Sequence, residues 1–184
     1  MTNNPILWVL LAVGAALLVG VFLWMNPGAP KATGPLPGQL LPEAIEGFIL
    51  VNKESRIDPI FPGEDHSAHA SYTPTPGGPW SGKVDHLGIA IFKFKEAAKI
   101  SEARNLLITY EKTEQQTLEG VTLELASDEG EVGVFWQEGT LFVAILATAP
   151  AGESADLQTL RAAAQAAAKA VLALRPRSQP QRPR

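Results

Sequence analysis

A membrane-spanning helix joined to one α+β domain is the fold the sequence predicts, and three observations predict it. Residues 6–25, ILWVLLAVGAALLVGVFLWM, are twenty consecutive residues without a charged side chain. Between residues 121 and 145 apolar side chains alternate with polar ones, the period of two that a half-buried strand requires. Residues 96–110 and 153–174 place apolar residues three and four apart, the period of an amphipathic helix. A twisted antiparallel sheet with two helices packed mainly on one face accommodates all of these patterns after the membrane segment.

At ~1.5 Å per residue the run 6–25 covers the ~30 Å hydrocarbon core of a bilayer. Trp8 and Trp24 fall near its two ends, where amphipathic rings suit the bilayer interfaces, and both are expected to act as membrane anchors. Pro5 fits the first helical turn, and Asn26-Pro27-Gly28 stops the helix. A cleaved signal peptide has a basic start, a shorter apolar core and a small-x-small cleavage site, and this segment has none of the three. Residues 1–25 are therefore expected to remain as a single-pass signal-anchor.

Lys31 is the one basic residue close to the span, and taken literally it places the following domain in the cytoplasm. The absence of cysteine, the Pro-rich spacer and the short N-terminal anchor favour the extracytoplasmic side, which is the expectation adopted. Residues 26–42 contain five Pro and three Gly, a composition that favours extended chain, and are expected to form a stalk.

The α+β domain is expected over residues 43–174. Gly47–Val51 reads as a first strand. Residues 54–82 are rich in Pro, Gly, Ser, His and Asp and read as a long irregular connection, with a short strand near His69–Thr73. Lys83–Phe94 alternates Leu87, Ile89 and Ile91 against His86, Gly88, Ala90, Phe92 and Phe94. Apolar residues on both of its faces mark a central strand. Glu96–Tyr110 reads as a helix with Ile100, Ala103, Leu107 and Tyr110 along one stripe. The sets Val121/Leu123/Leu125, Val132/Val134/Trp136 and Leu141/Val143/Ile145 form three strands, with turns at Asp128-Glu129-Gly130 and Glu138-Gly139. A closing helix runs from Glu153 to Leu174, with Ser154 as its cap. Residues 175–184 carry four Arg among Pro, Ser and Gln and read as a disordered basic tail.

The net charge of −4 conceals this division. Residues 36–174 hold all 19 acidic but only 10 of the 15 basic residues, so the domain carries −9. An acidic body repels phosphate, which excludes a nucleic-acid partner. The lack of cysteine excludes disulfides, thiolate metal sites and a cysteine nucleophile. The sequence contains no phosphate-binding glycine loop, no H-E-x-x-H and no G-x-S-x-G. Its carboxylates fall on helix ends, turns and polar strand faces, where solvation accounts for them.

Two features carry residual chemistry. Glu64-Asp65-His66-Ser67-Ala68-His69 combines imidazoles with carboxylates, the ligand types of zinc, copper or nickel, and makes His66 and His69 candidate metal ligands. In an extended chain residues three apart point to opposite faces, which opposes sharing one ion. Trp80, in the loop TPGGPW, is a candidate partner contact or a lid folded back on the sheet. No catalytic residue, enzymatic activity or cofactor is expected. The expected function is a membrane-anchored domain that contacts a protein partner, as an accessory subunit or scaffold. The alternative is a tethered sensor that binds a metal or small ligand.

Overall fold

The computed structural model describes residues 35–110, 113–152 and 156–175. Seven strands form one antiparallel sheet: β1 (Phe48–Arg56), β2 (Glu64–Pro74), β3 (His86–Phe94), β4 (Thr113–Leu118), β5 (Val121–Asp128), β6 (Glu131–Glu138) and β7 (Leu141–Thr148). Helix α1 spans Ile100–Leu107 and α2 spans Leu157–Ala173, so the domain is α+β as predicted. The strand order is β1-β2-β3-β7-β6-β5-β4. It consists of two meanders, β1–β3 and β4–β7, joined where β3 pairs with β7. Among the described residues no helix is long and apolar enough to cross a membrane. The run 6–25, with Trp8 and Trp24, lies outside the described residues, as does most of the basic tail.

The predicted alternation of β3 is realised on both faces. Leu87, Ile89 and Ile91 pair with Ala147, Ile145 and Val143 of β7. They join Leu123, Leu125, Val132, Val134 and Trp136 in the main core beneath α2. Helix α2 contributes Leu160, Ala163, Ala164, Ala167, Ala168, Val171 and Leu172, all buried. Its alanines present little more than Cβ atoms, so the helix backbone approaches the sheet closely. Asp156 caps it: one carboxylate oxygen accepts the Gln158 N–H at 3.1 Å and the other the Thr159 hydroxyl at 2.6 Å. The Thr159 hydrogen bond, above all, lowers the Asp156 pKa. The predicted cap, Ser154, lies outside the described residues.

The helices do not share a face. Ile100 and Ala103 of α1 pack with Phe92, Phe94, Phe135 and Phe142 in a second cluster, on the side of the sheet away from α2. The even-numbered aromatic residues at the end of β3 direct α1 there. α1 is also shorter than the predicted Glu96–Tyr110 helix. A 3-10 turn at Ala97–Lys99 precedes it, and Ile108 is already extended at φ −102° and ψ 92°.

Two segments expected to lack regular structure belong to the fold. Within the predicted stalk, Pro37–Leu40 forms a 3-10 turn, and Leu40 and Leu41 are buried in the main core. The Tyr72 hydroxyl donates to Pro42 O at 2.6 Å and Lys53 Nζ to Leu41 O at 3.2 Å, tying this segment to the sheet. Burial raises the Tyr72 pKa to about 12. The apolar pair Leu40-Leu41 outweighs the Pro/Gly composition around it. The stretch 54–82, read as irregular apart from a short strand near His69–Thr73, contains the whole of β2, eleven residues long and paired on both sides. β4, with sequence TEQQTL, is an edge strand that the periodicity did not predict.

Candidate binding groove

The side of the sheet that carries α1 is only partly covered. Its side chains follow from the register: Ser71 sits opposite Gly88 and Gly88 opposite Leu146, while His69 sits opposite Ala90 and Ala90 opposite Ala144. These residues occupy β2, β3 and β7, interior strands paired on both sides, yet every one of them is half-exposed. Immediate neighbours on the same strands, including Ala70, Ile89 and Ile145, are buried beneath the other face. The result is a groove of about 270 Å³ floored by Ser71, Gly88, Ala90 and Ala144.

One wall is apolar and aromatic. Leu107, Tyr110 and Phe135 line it, with the Tyr110 and Phe135 rings 6.1 Å apart. Gly133 makes this packing possible, because a Cβ there would fall 2.5 Å from the Phe135 ring. The Tyr110 hydroxyl donates to Glu131 Oε1 at 2.7 Å, and burial together with that bond raises its pKa. Arg104 forks onto the Glu124 carboxylate, with Nε 3.1 Å from Oε2, and fixes α1 to β5. Because the helix ends at Leu107, it leaves the groove open beyond that point.

The opposite wall is polar. His69 lies edge-on to Phe92 at 5.5 Å, and its Nε2 is buried without a hydrogen-bond partner. Desolvation, reinforced by Arg56, lowers its pKa, so the neutral imidazole is favoured. Glu54, opposite His69 in the register, accepts from Asn52 at 2.9 Å and pairs with Arg56 at 3.2 Å. A shallow floor of small residues between an aromatic wall and a polar one can hold an apolar surface and orient it by its polar edge.

The predicted site residues are dispersed. His66 pairs with Lys93 and His69 with Ala90, which puts the two imidazoles on opposite faces of β2. They are not brought together as ligands of one ion, for the reason a strand's period of two dictates. His66 Nδ1 lies 3.0 Å from Asp65 Oδ2. Among the described residues no three His, Cys, Asp or Glu side chains are grouped to hold a metal. Trp80 folds back: Nε1 donates to Glu46 O at 3.0 Å and the ring stacks on Phe48 at 5.9 Å. Gly47, at φ +79°, leaves room for it, since a Cβ there would meet the indole at 2.6 Å.

Sequence reasoning missed the groove, although one signal was present. Ala68, Ala70 and Tyr72 alternate with Ser67, His69 and Ser71 in a strand whose small residues give little hydropathy contrast.

No known protein family and no curated protein matches this sequence. A crystal structure of a GTP binding regulator from Thermotoga maritima is similar in backbone, with a TM-score of 0.42 and 10% sequence identity. The match covers 71% of this chain and 82% of that one. The likeness is too distant to bear on this chain's fold or chemistry.

Proposed function

We propose that the chain is a single-pass membrane-anchored, non-enzymatic protein whose folded domain stands on the extracytoplasmic side. There it contacts another protein of a membrane-associated complex, as an accessory subunit or scaffold. The run 6–25 supports the anchor. The groove supports the contact, and the observation that carries it is the half-exposed floor of Gly88, Ala90 and Ala144 on the central strands β3 and β7, whose alternate residues Leu87, Ile89, Ile91, Val143 and Ile145 are buried. A partner's helix or strand can approach such a floor closely. In the test, a photo-crosslinking residue replaces Leu146 in the groove or Lys169 on the exposed side of α2, in the full chain in its native membrane. A discrete heavier adduct from position 146 alone is the expected result. If position 146 gives no adduct and the detergent-solubilised chain runs as a lone monomer, the reading falls.

A second reading, a tethered sensor that binds a small ligand, is favoured by the unpartnered Nε2 of His69 beside the groove. A thermal-shift screen of the full chain should then find a stabilising compound whose effect Ala144→Trp abolishes by filling the groove. A compound that stabilises both proteins equally binds elsewhere and ends this reading.

A further inference from the structure

The negative charge of the domain is uneven, and its unneutralised part stands at one end of the groove. Residues 111–138 hold eight acidic residues and one basic residue, so −7 of the domain's −9 lies in this segment. Arginines neutralise three of the eight: Arg104 pairs with Glu124, Arg161 with Glu114 and Arg175 with Glu138. Asp128, Glu129 and Glu131, around the β5–β6 turn, pair with no Lys or Arg among the described residues.

The register carries this charge onto the face of the groove. Glu131 sits opposite Asp128 on one side and Thr148 on the other, and Thr148 sits opposite His86. His86 is two residues from Gly88 and Thr148 two from Leu146, so the row shares the face of the groove floor. The His86 imidazole lies along that floor, with Nε2 3.5 Å from where a Cβ on Gly88 would stand.

Tyr110 joins the charge to the aromatic wall. Its hydroxyl donates to Glu131 Oε1 at 2.7 Å, and the charges of Glu131 and Asp128 add to the burial that raises its pKa. The phenol therefore stays neutral beside two carboxylates. A ring next to a carboxylate attracts a cation twice, through its quadrupole and through the charge. The other walls do not oppose this. Arg56 is held by Glu54 and Arg104 by Glu124, and desolvation favours the neutral imidazole of His69. The floor of Gly88, Ala90 and Ala144 offers little more than backbone and Cβ atoms, a flat surface on which a flat apolar body can lie.

We propose that the groove binds a small organic cation, a primary amine with a flat apolar body, whose ammonium group sits between the Tyr110 ring and the Glu131 carboxylate while its body covers Gly88, Ala90 and Ala144. The proposal rests on the small-ligand reading of the groove and names the class of that ligand. The same charge disfavours carboxylates and phosphates at this end.

The chain's lack of cysteine makes the test direct. A trifluoromethyl tag is placed on Leu146→Cys in the groove or on Lys169→Cys on the exposed side of α2, in the full chain in detergent. The probes are phenethylamine, phenethyl alcohol and hydrocinnamate, which share one body and differ in charge. Phenethylamine should move the fluorine resonance at position 146 saturably and leave that at 169 in place. It should bind about fivefold or more tightly than the alcohol, judged from the usual worth of a cation–ring contact with a partly exposed ion pair, and hydrocinnamate should bind weakest. Glu131→Gln/Asp128→Asn, which keeps an oxygen for the Tyr110 hydroxyl, should abolish the advantage of the amine and leave the alcohol unchanged. Amine and alcohol binding equally to the parent would overturn the proposal while keeping the small-ligand reading. An advantage of the amine that survives in the double variant would overturn it too, because the cation would then be recognised elsewhere. If none of the three probes moves position 146, the proposal falls, and the thermal-shift screen decides the small-ligand reading by itself.

Discussion

Ile145 and Ala144 are adjacent on one strand and belong to two different environments. Ile145 is fully buried beneath α2, against Ile89 and Val134, whereas Ala144 lies half-exposed in the floor of the groove. The α2 face follows the rule of a packed interior, with large aliphatic side chains in the sheet meeting an alanine surface on the helix. The α1 face places its large residues at one end, in the Phe92, Phe142 and Phe135 series, and leaves small ones in the middle. One face is closely packed, and the other leaves its middle half-exposed.

The largest expected effect is on the packed face. Ile145→Ala should destabilise the domain by about 2–5 kcal/mol, read from urea midpoints, because a cavity opens where nothing can collapse into it. Ala164→Leu comes next, at about 1–3 kcal/mol, since the added atoms must push α2 off the sheet. If either costs less than half a kilocalorie, the α2 face is not the close-packed interior described here.

The third effect depends on pH and belongs to the groove wall. The folded pKa of His69 lies below its ordinary 6.5, so the unfolded chain binds that proton more readily. Its contribution to stability is therefore complete above 6.5 and is lost as pH falls from there toward the folded value. His69→Gln should flatten the fall in urea midpoint between neutral and mildly acid pH, and an unchanged slope would place His69 outside the effect. The smallest expected change in stability is that of Ala144→Leu, within about 0.5 kcal/mol because the groove has room for the side chain. The same substitution should abolish the crosslink from position 146, which would separate the role of the groove from that of the core.

The fold was legible wherever hydropathy contrast was strong. β3, β5, β6, β7 and the amphipathic stripe of α2 all stand out against polar neighbours, and each lies where the periodicity put it. β2 and β4 were hidden for opposite reasons. Ala68 and Ala70 are buried but too small to contrast with Ser67 and Ser71, while Glu114, Gln115 and Gln116 occupy a wholly exposed edge. The side on which α1 packs depends on which face of β3 carries its aromatic residues, and periodicity alone does not assign a helix to a face. The groove was illegible because its floor consists of small residues drawn from three strands, β2, β3 and β7. The separation of His66 from His69, by contrast, followed from strand geometry as soon as β2 was extended.

The junction of β3 and β7 has a kinetic consequence. Within each meander, neighbouring strands are joined by local connections, so either half can zip up early. Pairing β3 with β7 must instead close the whole stretch from Phe94 to Leu141, at a greater entropic cost than any hairpin. The floor of the groove straddles that junction, with Gly88 and Ala90 on one side and Ala144 and Leu146 on the other. A chain halted before the two halves meet has hairpins and helices but no complete groove floor, so the presence of the groove is a readout of the pairing between the halves.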